Sequence, residues 1–156
     1  MVNVLDAASY VYNRYQKEYG KRIDEMKLHK LLYFAQRESI IQTDSPLFDA
    51  TFYGWKFGPV LKEIRRVYKE NTFLKDLCRT VVNILEPIMN KVFKEYASKE
   101  SWSLSRLTHG EISWKNSRKN IPDEENGDNP MDISDIRLDA ERIKNRREML
   151  AQLGLS

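Results

Sequence analysis

Tyr53-Gly54-Trp55-Lys56-Phe57-Gly58-Pro59-Val60 packs three aromatics, two glycines and a proline into eight residues, then runs into an amphipathic stretch. A residue before proline is pushed out of the αR region, as a helix N-cap must be, and proline at the first helical position has its φ pre-set. Gly58-Pro59 therefore predicts a helix that starts at Pro59 and runs to about Glu70. Gly58 has no side-chain oxygen to cap the N–H groups of Val60 and Leu61. Those donors need water, another part of the chain, or a partner's carboxylate. Before this turn, Phe48 to Phe57 is aromatic-rich without a helical pattern, which predicts a short extended segment or small hairpin.

Upstream, Val4, Ala8, Val11, Tyr12, Tyr15 and Tyr19 recur at helical spacing, with Asn3 as N-cap and Gly20 as stop. Asp24 caps a second helix to about Thr43. Its core face is Leu28, Leu31, Leu32 and Ala35, flanked by Tyr33, Phe34, Ile40 and Ile41, leaving a narrow polar stripe of Lys27, Lys30 and Arg37. A helix this apolar all round belongs at the centre of its domain. Asp44-Ser45-Pro46 ends it.

Downstream, the pattern predicts a fourth helix over Thr72 to Leu85, with Pro87 marking a kink or the start of a stretch ending near Tyr96. Ser101 opens a short helix that Gly110 closes. Residues Asn120 to Asp132 shift to Pro, Asp, Glu, Asn and Gly, a mobile acidic loop. Ser134 then caps a last helix to about Leu153, with Ile136, Ala140, Ile143 and Leu150 on one stripe that Arg147 interrupts. The expected fold is a single, mainly α domain with one short extended or β segment around residues 48–57.

At 156 residues, 41% hydrophobic and 31% charged, the chain has the size and balance of one globular domain. It has no run of membrane-spanning length, and Asp6, Arg14 and Lys17 do not make a secretory leader, so the cytoplasm is the expected location. One cysteine, Cys78, excludes an internal disulfide and reads as a small buried thiol. With only His29 and His109 beside it, no zinc spacing appears, and no phosphate-binding glycine loop occurs. No metal or cofactor is implied. A net charge of +3 does not by itself argue for nucleic acid.

Three blocks in order carry a resemblance. They are Met26-Lys27-Leu28-His29-Lys30-Leu31-Leu32-Tyr33-Phe34-Ala35-Gln36, the Trp55-Lys56-Phe57-Gly58-Pro59-Val60 turn, and Leu104-Ser105-Arg106-Leu107-Thr108-His109 followed by Trp114. Together they resemble the Panacea-domain family of SocA-like antitoxins and related phage-associated proteins. Leu31, Leu32, Tyr33, Trp55, Gly58, Pro59, Val60, His109 and Trp114 are among the residues that match. His29 stands where that pattern has Gln, and Gly54 where it has Ala. The resemblance spans about residues 4 to 118. It implies a helical domain over residues 1–120, with 121–156 adding an acidic loop and an accessory helix. It also implies an antitoxin-like binding protein whose partner is a cognate toxin, met by direct contact or delivered to a protease complex. A homo-oligomer is left open.

The residues alone read as a helical binding module. Lys62, Arg65, Arg66 and Lys69 share one face of the third helix. Like charges at that spacing repel by about a few tenths of a kcal/mol per pair, so helix stability does not account for them. A solvated face carries such a stripe too. With Lys56, it is the candidate partner site for an acidic or phosphate-like surface, and the alternative function is a nucleic-acid-binding regulator using the same stripe. Trp55 and Trp114 read as core, each indole N–H satisfied by a backbone carbonyl. His109, Gly110 and Glu111 invite an acid–base reading, but no nucleophile or carboxylate partner sits at a telling spacing, so no enzyme is expected.

Overall fold

Helix α2 (Glu25–Thr43) is the axis of the molecule, and every residue of it from Lys27 to Ile40 is buried. The computed structural model describes residues 1–155. Around α2 pack α1 (Val4–Tyr19), α4 (Arg79–Val92) with a π-helical turn at Phe93–Ala97, α5 (Ser101–His109) and α7 (Ile133–Gln152). Short helices α3 (Lys62–Glu70) and α6 (Ile112–Ser117) and one two-stranded hairpin complete the fold. Asn3 and Asp24 cap α1 and α2 as expected, accepting from the N–H groups of Leu5 and Lys27, and Gly20 ends α1 in the left-handed region.

The stripe of Lys27, Lys30 and Arg37 is not a solvent face. These residues are 7%, 2% and 2% exposed, because neighbours crowd α2 from all sides. Lys27 Nζ donates to the Ala97 carbonyl at 3.0 Å, at the end of the π turn. Arg37 donates to Glu111 and, at 2.6 Å, to the Tyr96 hydroxyl, whose ring stacks on Phe34. Gln36 fastens the chain leaving α2: its carbonyl oxygen accepts from the Leu47 and Phe48 N–H groups, and its amide donates back to the Phe48 carbonyl. Buried polar groups are tolerable only when satisfied in this way.

Pro59 does not open a helix. Strand β1 (Tyr53–Trp55) pairs antiparallel with β2 (Gly58–Val60), Trp55 opposite Gly58, across a two-residue turn at Lys56 and Phe57. Gly58 has φ +117°, open to glycine alone, and this sends Pro59 into a two-stranded ribbon where its missing N–H costs nothing. Helix α3 starts later, at Lys62, with Leu61 as a cap that offers no side-chain bond. The Leu61 N–H is satisfied by another part of the chain, donating to His29 Nδ1 at 3.2 Å.

The fourth helix also begins later than its apolar spacing suggests. Residues 72–78 are irregular because α1 claims them: Ser9 Oγ accepts from the Leu74 N–H, Asn13 donates to the Leu74 carbonyl, and Phe73 stacks on Tyr12. Cys78 is consequently an exposed residue ahead of α4, not a buried thiol, and Pro87 lies inside α4 without ending it.

The acidic loop is fastened rather than free. Arg118 donates to the carbonyls of Gly54, Pro122, Glu125 and Asn126, and the Gly54 and Met131 N–H groups bond across to Asn129 and Phe52. Asp132, not Ser134, then caps α7. Asp139, fully buried on α7, accepts from the Ile112 and Ser113 N–H groups that open α6, from Ser113 Oγ, and from Tyr33 Oη of α2. Arg147 reaches Glu38 of α2 at 2.8 Å, which explains a charge in the apolar stripe of this helix.

Candidate protein-binding site

The start of α2, the hairpin and α3 enclose a cleft of about 340 Å³. Met26, Trp55, Phe57 and Val60 give it apolar walls, and Lys30 lines it from within the core. Lys30 lies beneath Gly58: a β-carbon there would sit 2.7 Å from Lys30 Cε and 2.6 Å from Thr108 Oγ1. The hairpin glycine thus makes room for the lysine stem. The Lys30 ammonium has a single long bond, 3.4 Å to the Pro59 carbonyl. Burial pushes it down to about 7, against the pull of the Asp24 and Glu25 carboxylates.

His29 is 2% exposed and reaches Glu25 through Nε2 at 3.0 Å while its Nδ1 accepts from Leu61. That pattern fixes one tautomer, with the proton on Nε2. Burial lowers its pKa, so the ring is neutral at physiological pH, and its bond to Glu25 holds that carboxyl below its usual range.

The basic residues divide. Lys62 bonds to Asp128 and lies 4.0 Å from the Tyr53 ring centroid; Arg65 pairs with Glu25 at 3.1 Å and covers the Trp55 ring at 5.0 Å. Lys56 sits 5.0 Å from the Phe57 ring centroid. Arg66 and Lys69 are exposed and have no side-chain partner among the described residues. Trp55, Lys62, Arg65, Arg66 and Lys69 border one further groove, so all of the predicted stripe gathers beside one tryptophan. Two of its charges are already spent on Glu25 and Asp128, which weakens the stripe as a grip for a phosphate backbone.

Trp114 is satisfied as expected, its indole donating to the Trp55 carbonyl at 2.8 Å. Trp55 is not: it is only half-buried, and its own Nε1 has no acceptor. Leu31, Leu32 and Tyr33 are fully buried in α2, and Pro59 and Val60 are buried in β2. His109 stacks on Trp114 at 4.0 Å, with Nε2 buried and unpartnered; burial and the Lys30 charge keep its pKa low. Glu111 belongs to the Arg37 pair, so the two neighbours in sequence have separate partners.

Sequence reasoning missed Lys30 as part of the site, because helical spacing places it on a stripe but cannot say what covers the stripe. It also missed Trp102, which is 57% exposed and meets the exposed Phe57 ring edge-on at 5.1 Å. No local pattern links residues that far apart.

The sequence profile of the family described as Antitoxin SocA-like, Panacea domain matches residues 28–115, more than half of the chain. This chain belongs to the Panacea-domain family. The matched span runs from α2 through most of α6, and it contains the hairpin, α3, His109 and Trp114. Helices α1 and α7 lie outside it. Antitoxin SocA of Caulobacter vibrioides (strain NA1000 / CB15N) is 39% identical over 49 residues, which is 31% of this chain and 26% of that protein. No solved structure matches the chain. Among the described residues of this Panacea-domain protein, no helix is long and apolar enough to cross a membrane.

Proposed function

We propose that this protein is an antitoxin that neutralises a cognate protein toxin in the cytoplasm by stoichiometric contact, without turning over a substrate. Family membership supplies the class of partner. The observation that carries the contact is the half-buried Trp55 set beside Arg65, Arg66 and Lys69. Tryptophan and arginine dominate the energetic centres of protein interfaces, and an indole left without an acceptor is poorly explained as a core residue.

The test is co-expression with the adjacent gene, scored by growth and by toxin abundance. Arg66→Glu with Lys69→Glu should abolish rescue with the fold intact, because both side chains are exposed and unpaired. Losing one member of a charged contact at an interface costs about 2–5 kcal/mol, ample to be seen in growth. Full rescue by this variant at matched expression refutes the assignment. Rescue accompanied by disappearance of the toxin replaces direct inhibition with delivery to a protease.

A further inference from the structure

Lys30 is hard to explain as a stabilising residue. A buried ammonium with one long bond is destabilising unless something else pairs with it. It lines the same cleft as Trp55, whose buried indole N–H has no acceptor. Glu25, the one carboxylate at the cleft among the described residues, is already engaged by His29 and Arg65. Two under-used donors, apolar walls and a cationic rim of Lys56 and Arg65 make a complement to one kind of group.

We infer that the cleft is an anchor site for a carboxylate: it takes an acidic side chain, with an adjoining apolar side chain, from an extended segment of a protein partner. The carboxylate meets Lys30 and Trp55, and the apolar neighbour lies against Met26, Phe57 and Val60. Trp102 extends the apolar lip through its contact with Phe57. The side-chain source is favoured because the opening is flanked on the α3 side by further cations, Arg66 and Lys69, which suit more than one acidic residue in a passing segment. That this segment belongs to a toxin rests on the function proposed above; the site itself does not.

The probe is the peptide acetyl-Leu-Glu-Leu-amide, titrated into the purified chain and followed by the three indole N–H resonances, one for each tryptophan. The Trp55 resonance should move and saturate. Acetyl-Leu-Gln-Leu-amide should bind about tenfold or more weakly, the effect of replacing a charged acceptor by a neutral one. Lys30→Met should lose the same factor for the Glu peptide and gain nothing against the Gln peptide, while unfolding at no lower temperature than the parent. Equal binding of the two peptides, an unmoved Trp55 resonance, or a Lys30→Met variant that binds as well overturns the proposal. Tightest binding by acetyl-Leu-Gln-Leu with a free C-terminal carboxylate overturns the side-chain source in favour of a chain end. Growth rescue separates this inference from the antitoxin reading. A Lys30→Met chain that loses the peptide but still rescues growth removes the toxin from the cleft. A parent chain that binds the peptide but never rescues refutes the antitoxin reading alone.

Discussion

Gly54→Ala offers the sharpest test of how the hairpin is seated. Gly54 in β1 faces Ser117 of α6, and a β-carbon there would fall 1.8 Å from Ser117 Oγ and 2.8 Å from Ser117 Cβ. Neither side can yield cheaply. Gly54 donates to the Asn129 carbonyl and accepts from Arg118, while Ser117 is buried with its hydroxyl bonded to the Trp114 carbonyl. Overpacking of a tight contact costs about 1–3 kcal/mol, and so deep an overlap belongs at the upper end. Relief of the glycine's backbone freedom returns about 0.5–1 kcal/mol, leaving a net loss of about 2 kcal/mol. Ser117→Gly alone loses about 0.5 kcal/mol of helix propensity and a hydrogen bond of about 1 kcal/mol. In the double variant the clash disappears while the backbone gain stays, so the two losses should fail to add by about 3 kcal/mol. Urea denaturation of the four proteins, followed by circular dichroism, closes the cycle. An unshifted midpoint for Gly54→Ala, or strict additivity, refutes the packing described here.

The remaining expectations concern the buried charges. Burial, with the Asp139 carboxylate adding to it and Arg37 opposing, raises the Glu111 carboxyl from 4.5 to about 7. The unfolded chain therefore releases this proton first, and stability should fall by about 3 kcal/mol as pH rises from 4.5 to about 7. Lys30 acts in the opposite direction, its folded value lying near 7 against 10.5 in the unfolded chain, so stability should recover as pH climbs through that range. Denaturation midpoints across pH should show Glu111→Gln flattening the first limb and Lys30→Met the second; a profile unchanged by either variant contradicts the assignment. Asp139→Ala strands three buried donors and the part-buried Ile112 N–H, and should cost about 3–5 kcal/mol. Hydrogen exchange should then quicken in α6 and α7 before α2, and uniform acceleration would show that Asp139 is not the clasp between them.

Local rules were sufficient wherever the decisive interactions lie within one helix. Asn3, Gly20 and Asp24 announce the ends of α1 and the start of α2 because a cap is a contact between near neighbours. The near-continuous apolar surface of α2 places it at the centre, since no other position hides all its sides. The ordered blocks around Leu31, Trp55-Gly58-Pro59 and His109 carried the family. Sequence alone failed where a distant residue takes over a backbone group or a charge. Pro59 reads as a helix start until Trp55 pairs with Gly58, and residues 72–78 read as helix until Ser9 and Asn13 bind their backbone. Lys30 and Arg37 read only as part of a polar stripe until the hairpin and Glu111 are seen to cover them. Periodicity reports which residues share a face. What lies against that face, and therefore which cations are free to meet a partner, is fixed only by contacts between residues far apart in the chain.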